Sequence, residues 1–277
     1  MKNKIFIIFF SLIFCFIVLS CSGIFNNSKF KVSVGDVILS NGYRVPVDYV
    51  EDFYWDYLSN NDVLGIVYSI PADGSYMVIC PKPNAVKNDW DHNETTWVNC
   101  YYDEIAECMF PAYDVPYLWE IDIGDSCGID NWDVIKSALV LGDDHIYLFP
   151  IFKKMKDFNE YMFEKYKYFT SGWYVPTWNE INEMDVNIIN KVYEQIFNQS
   201  DFSGTYWLSN IISYNFAATF SVQSVMEYGE TVYKLSDDSA FVADYNSVIF
   251  VRNFEDLDES KICFSFDDYQ KFRDDEE

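Results

Sequence analysis

Strand-like runs crowd the beginning and end of this chain, and helical spacing fills the stretch between them. Elements grouped in blocks, rather than alternating strand by helix, predict an α+β fold. Two turn signals and one helix-capping signal mark where those blocks bend and start. Residues 32–37 and 45–50 alternate apolar and polar side chains about Ser40-Asn41-Gly42, and Asn-Gly favours a hairpin because both residues tolerate positive φ. Residues 63–70 and 75–80 form a second β-rich pair around Pro71-Ala72-Asp73-Gly74, where Pro presets φ and Asp and Gly complete a turn. Residues 82–125 are irregular and rich in Pro, Asn, Asp and Trp; connections of that length tend to carry function.

Helical spacing then takes over. Asp130 is expected to cap a helix whose Trp132, Ile135, Ala138 and Leu139 share one face, with Gly142 as its stop. Residues 152–168 repeat the pattern. Thr177-Trp178-Asn179-Glu180 reads as a capping box with Pro176 just outside it, and Ile181, Met184, Ile188, Val192 and Ile196 continue as one apolar stripe. Beyond them, residues 205–208, 216–222, 231–235, 240–242 and 247–252 read as strands, and Asp143-Asp144-His145 and Asp237-Asp238 as turns.

The first residues indicate export. Lys2 and Lys4 precede an apolar run over 5–19, followed by Ser20-Cys21-Ser22. A basic start, an apolar middle and a small residue before the cleavage point make a secretory signal. The cysteine after that small residue makes it similar to a bacterial lipobox, with Cys21 as the lipid attachment site. The apolar run is short of the roughly 20 residues that span a bilayer. The expected organisation is a lipoprotein signal peptide at 1–20, a tether at 21–31, a domain at 32–254 and an acidic tail at 255–277 with a strand-like island at 262–266.

Charge and cysteines narrow the function. Losing Lys2 and Lys4 takes 19 basic residues to 17 against 44 acids, a net charge of −27. Such a surface excludes nucleic acid as a partner and argues against electrostatic attachment to anionic lipid. The body holds Cys80, Cys100, Cys108, Cys127 and Cys263. Cys100 and Cys108 are spaced to close a local loop, but connectivity stays open. With no C-x-x-C and only two histidines, zinc is poorly supplied.

Several segments resemble a known family. Gly172-Trp173-Tyr174-Val175-Pro176-Thr177-Trp178-Asn179-Glu180-Ile181 is similar to the G-W-x-L-P-T-x-x-E-L signature of the Lcl C-terminal domain family, named for a bacterial collagen-like adhesin. Tyr206-Trp207-Leu208-Ser209, Asn215-Phe216-Ala217-Ala218 and Val248-Ile249-Phe250-Val251-Arg252-Asn253-Phe254 resemble its later strands, and Asp130-Asn131-Trp132 stands where its first helix begins. Val34-Gly35-Asp36-Val37 through Gly42 is similar to the opening hairpin of its lipoprotein members. The resemblance implies a C-type-lectin-like fold: a mixed sheet with two main helices and long loops. Val175, Leu208 and Trp132 depart from the pattern. It also implies structural roles for Gly172, Trp173, Pro176, Thr177, Glu180, Tyr206, Trp207 and Arg252.

Asp89, Asp91 and Asn93 offer alternating oxygen donors of the kind Ca²⁺ accepts, although Glu94 and Cys100 stand where an EF-hand loop needs Gly and Glu. No other cofactor is expected. No catalytic residue is expected either, because acid pairs are everywhere and no nucleophile motif stands out. The expected function is a lipid-anchored, non-catalytic binding or adhesion protein at the outer membrane or cell surface, its ligand a glycan, a matrix protein or an envelope protein met through the 82–125 loops. The runner-up is a structural or assembly-partner lipoprotein. A formylglycine-generating type of enzyme, the third reading, would need two cysteines or a metal converging in one pocket.

Overall fold

The structure is a computed structural model that describes residues 31–40, 42–52, 63–80, 94–98, 100–103, 108–111, 123–124, 127–138, 143–165, 172–197, 202–213, 215–254 and 262. The chain divides into two compact units, Met1–Val32 and Ser33–Glu277; the architecture below is that of the second. It is α+β: among the described residues, two five-stranded sheets and a separate two-stranded hairpin accompany four α-helices, where the resemblance implies two main ones.

The first sheet is antiparallel throughout. It contains β1 (Val37–Leu39), β2 (Arg44–Val45), β3 (Val63–Ser69), β4 (Tyr76–Cys80) and β12 (Phe250–Phe254), ordered β12-β4-β3-β1-β2. The hairpin predicted around Gly42 forms, with that glycine at φ 82° and Val37 opposite Val45. Its strands are shorter than the alternation suggests, and Val47–Asp52 coils into a 3-10 helix. Asp36 explains the change. Its carboxylate accepts hydrogen bonds from the Ser33 amide (3.0 Å), the Val47 amide (2.9 Å) and Arg44 Nη1 (2.8 Å), so both flanks turn inward onto one buried group. The second β-rich pair forms β3 and β4 as predicted, with Gly74 N–H bonded to Pro71 O.

The second sheet contains β5 (Glu94–Thr95), β8 (Gly204–Ser213), β9 (Phe216–Glu227), β10 (Glu230–Phe241) and β11 (Asn246–Ser247), ordered β10-β9-β8-β11-β5. Only β11 and β8 run parallel. Residues 231–235 and 240–241, expected within two separate strands, belong to the single strand β10, and Val242 lies just beyond its end. Asp237 and Asp238 therefore lie mid-strand, opposite Phe220 and Thr219, and not in a turn. Continuous pairing with β9 outweighs the poor strand preference of aspartate. The run expected at 247–252 is also divided, β11 joining the second sheet and β12 the first.

The stretch 82–125 is not all loop. β5 joins the second sheet, and β6 (Cys100–Asp103) pairs with β7 (Cys108–Pro111). In that hairpin Cys100 lies opposite Pro111 and Cys108 opposite Asp103. The two cysteines are thus offset by three positions in the register.

The helices are α1 (Gly128–Ala138), α2 (Pro150–Lys165), α3 (Trp178–Ile181) and α4 (Val186–Phe197). α2 starts on a proline, whose missing N–H is no loss in a first turn, and buries Ile151, Phe152, Met155, Phe158 and Met162. The stripe expected to form one helix from Ile181 to Ile196 is carried by two. α3 stops at Ile181 with Asn182 as its C-cap, and Asp185 Oδ1 accepts the Asn187 and Ile188 amides at 3.1 and 3.2 Å, capping a new helix. α2 supplies much of the aromatic core: Trp97 meets Phe149 and Phe152 edge-on, and Phe158 stacks on Phe250 at 4.8 Å. No described helix is long and apolar enough to cross a membrane.

Candidate functional site

The segment carrying the resemblance is an added edge of the first sheet. Tyr174 exchanges both backbone hydrogen bonds with Val251, each 2.9 Å, so the chain before α3 runs beside β12. Gly172, at φ 85°, leaves space where a Cβ would stand 3.8 Å from Arg252 Cζ. Arg252 itself lies over the Phe254 ring at 4.7 Å, and burial pulls its pKa down. Trp173 is buried against Phe158 and Phe254, and Asn159 brackets its backbone, accepting from its N–H and donating to its carbonyl. The Pro176 carbonyl accepts the Ser209 amide at 2.9 Å, joining this segment to β8.

Within β8, Tyr206 stacks between Phe202 and Phe220. Trp207 is buried and donates Nε1–H to the Thr95 carbonyl at 2.7 Å. Trp97 returns the arrangement by donating to the Leu208 carbonyl at 3.0 Å. Indole N–H groups that find carbonyls can be fully enclosed, so these rings belong to the interior, and Trp97 withdraws one aromatic residue from the 82–125 surface.

Glu180 is the chemical centre of the region. Oε2 accepts from Thr177 N (2.9 Å), Thr177 Oγ1 (3.1 Å) and Gly128 N (3.0 Å). Oε1 accepts from Tyr174 Oη (2.8 Å) and Cys127 Sγ (3.5 Å). The capping box forms, and the same carboxylate also serves a second helix start at Gly128. There is no room for a side chain on Gly128, because a Cβ would collide with the Val175 carbonyl oxygen.

This arrangement corrects the expected start of α1. Asp130 lies inside its first turn and does not cap it. Cys127 takes that place: the Ile129 and Asp130 amides act on its sulfur to favour the thiolate, and its carbonyl accepts from Asn131 N at 3.2 Å. A helix N-terminus ordinarily lowers a thiol pKa. Here burial, followed by the Glu180 charge, dominates and pushes the Cys127 thiol up. Burial and Glu180 likewise push the Tyr174 phenol up. Tyr68, from β3, also has its pKa raised by burial and then by Glu180 and Cys127, and its Oη finds no hydrogen-bond partner among the described residues. The result is one carboxylate surrounded by protonated donors, a poor setting for a thiolate nucleophile.

Cys127 and Tyr68 were missed by sequence reasoning, because they lie on separate elements and no spacing links them to Glu180. Cys21, Asp89, Asp91 and Asn93 lie outside the described residues, as does the 262–266 island apart from Ile262, which bridges to Arg44. Among the described residues no group of three or more His, Cys, Asp or Glu could hold a metal ion. No protein-family model, curated protein or solved structure matches the chain.

Proposed function

We propose that this chain is an exported lipoprotein acylated at Cys21, with a C-type-lectin-like domain of the Lcl C-terminal kind that binds a ligand at the cell envelope without catalysis. The anchor reading rests on Lys2, Lys4, the apolar run at 5–19 and Ser20-Cys21. The observation that carries the non-catalytic half is Glu180, the one acid of the Gly172–Ile181 signature, whose two oxygens already accept five internal donors. A carboxylate so occupied holds two helix starts together and is not free to move a proton for a substrate. Recognition then falls to the surface loops, the usual place for it on a rigid scaffold, with Asp89, Asp91 and Asn93 as the Ca²⁺-dependent variant of the reading.

The test has two arms. Cys21→Ser should move the full chain from the membrane fraction to the soluble one and abolish fatty-acid labelling; labelling that survives the change would defeat the anchor reading. Residues 22–277 are then screened against glycans, matrix proteins and envelope extracts, with Ca²⁺ and with EDTA. Saturable binding is the expected result, and its loss in EDTA would point to Asp89 and Asp91. No binding in either condition would replace this reading with that of a structural lipoprotein.

A further inference from the structure

We infer that the tip of the β9–β10 hairpin is a foot that rests on the bilayer holding the anchor, with Tyr228 and Met226 as its contact residues; this rests on the lipoprotein reading above. Past the Asn187–Tyr233 clasp the hairpin stands out from the body of the domain. No residue from Gln223 to Phe241 is buried, Tyr228 is 107% exposed and Met226 is 69% exposed. The strands close through a two-residue turn, Glu227 opposite Glu230, with Tyr228 at φ 53° and Gly229 at φ 92°. Asparagine or glycine usually fills the first of those positions, and a bulky residue with positive φ is an outlier. A tyrosine held there, wholly in solvent, has no folding purpose on view, and strain of this kind concentrates at functional positions.

A lipid surface fits the tip better than a groove on another protein. The tip is a convex knob with one aromatic and one thioether side chain. Tyrosine suits a membrane interface, where its ring enters the apolar side and its hydroxyl stays wet. Glu227, one of the two flanking acids, is paired with Lys234. The net charge of −27 left once the signal's two lysines are removed directs the tip to zwitterionic headgroups and away from anionic ones.

The point where the tether enters the domain supports the same occupant. Gly35 lies directly against Ile188, and the neighbouring Asn187 grips the Tyr233 backbone on β10 at 2.8 and 3.3 Å. From Tyr233 to the tip is five residues, ~17 Å of strand. The dozen residues from Cys21 to Ser33 reach at most ~40 Å when extended, enough to let the domain set its tip on the bilayer. Two side chains alone would bind lipid weakly, but a tether of this length raises the effective concentration so that weak contact suffices.

The experiment uses the full chain in a bacterial host, carrying Tyr228→p-benzoylphenylalanine or, as a control, the same replacement at Tyr245, exposed beyond the opposite end of β10. After irradiation, peptides are analysed by mass for lipid adducts, and the Cys21 peptide in the same digest reports acylation. Acylated Cys21 with lipid adducts at position 228 and none at 245 is the expected result. Acylated Cys21 with equal lipid labelling at both positions, or with adducts at 228 to protein (a second copy included), overturns the foot and leaves the anchor standing. An unacylated Cys21 peptide removes the anchor reading and the foot together.

Discussion

Glu180 shows how much one side chain can organise. Two of its donors are backbone amides, Thr177 N and Gly128 N, which have fixed polarity; the other three are hydroxyl or thiol groups that can turn. Glu180→Ala should therefore cost on the order of 2–4 kcal/mol in denaturant unfolding, since it orphans several enclosed donors. Glu180→Gln should recover a large part of that loss. Its carbonyl oxygen can serve the two amides while its NH₂ donates to Tyr174 and Cys127, which reverse to accept. Equal losses in the two variants would mean that the charge, and not the acceptor geometry, is what matters. The raised pKa values of Cys127 and Tyr174 give a second residue-level test. Both groups stay protonated in the fold but ionise from their ordinary values of 9.0 and 10.0 in the unfolded chain. Stability from this cluster is thus complete below pH ~9 and falls as pH rises beyond it. A melting temperature that stays level from neutral pH to well above pH 10 would contradict that assignment. The capping box was legible in four consecutive residues because its partners are local. Its link to Gly128 and Cys127 was not, being made across some fifty residues of chain.

Among the elements, β10 is an exposed edge, and an edge of twelve residues is an invitation to aggregate. The protein closes it with side chains. Asn187 offers both its carbonyl and its amide to Tyr233, Asp244 accepts the Phe241 amide at 3.1 Å, and Asp238 accepts the Ser239 amide at 2.7 Å. Asn187→Ala should lower stability by about 1–2 kcal/mol and speed hydrogen exchange at the Tyr233 amide, leaving the amides of the buried β9 segment near Phe220 protected. Unchanged exchange at Tyr233 would show that the clasp is dispensable. Asp237 and Asp238 looked like turn residues because aspartate disfavours strands, a preference measured on average surroundings. On an edge whose outer side is water, the same residues discourage further pairing. The division of the 181–196 stripe into α3 and α4 had a visible cause in Asp185, but a cap inside a stripe competes with the periodicity around it, and only packing shows which prevails.

For the molecule as a whole, specific buried ties fasten distant elements to one another. Asn131, buried in α1, donates to the Gly124 carbonyl and to Ser209 Oγ on β8, both at 2.9 Å. Residues 248–249, both buried, carry the chain from β11 in one sheet to β12 in the other. The buried pair Arg44–Asp36 fastens the opening hairpin. Burial pushes the Asp36 carboxyl up more strongly than its hydrogen bonds and Arg44 pull it down, so this pair specifies geometry more than it adds stability. An apolar interior under so acidic an exterior is consistent with a domain kept apart from its own copies by charge, which is the condition the hairpin foot requires if its target is lipid.

The sequence by itself determined the α+β class, the Pro71–Gly74 turn and the start at Thr177, because each depends on neighbours within a few residues or on the order of whole blocks. It also supplied the whole case for Cys21, which is chemical and positional. Tertiary structure alone decided that Cys127 caps α1, that Tyr68 and Tyr174 face one carboxylate, and that residues 230–241 form one strand. Those outcomes depend on which distant groups share a small volume, and the polarity of the groups brought together there overrides the local preference of each residue.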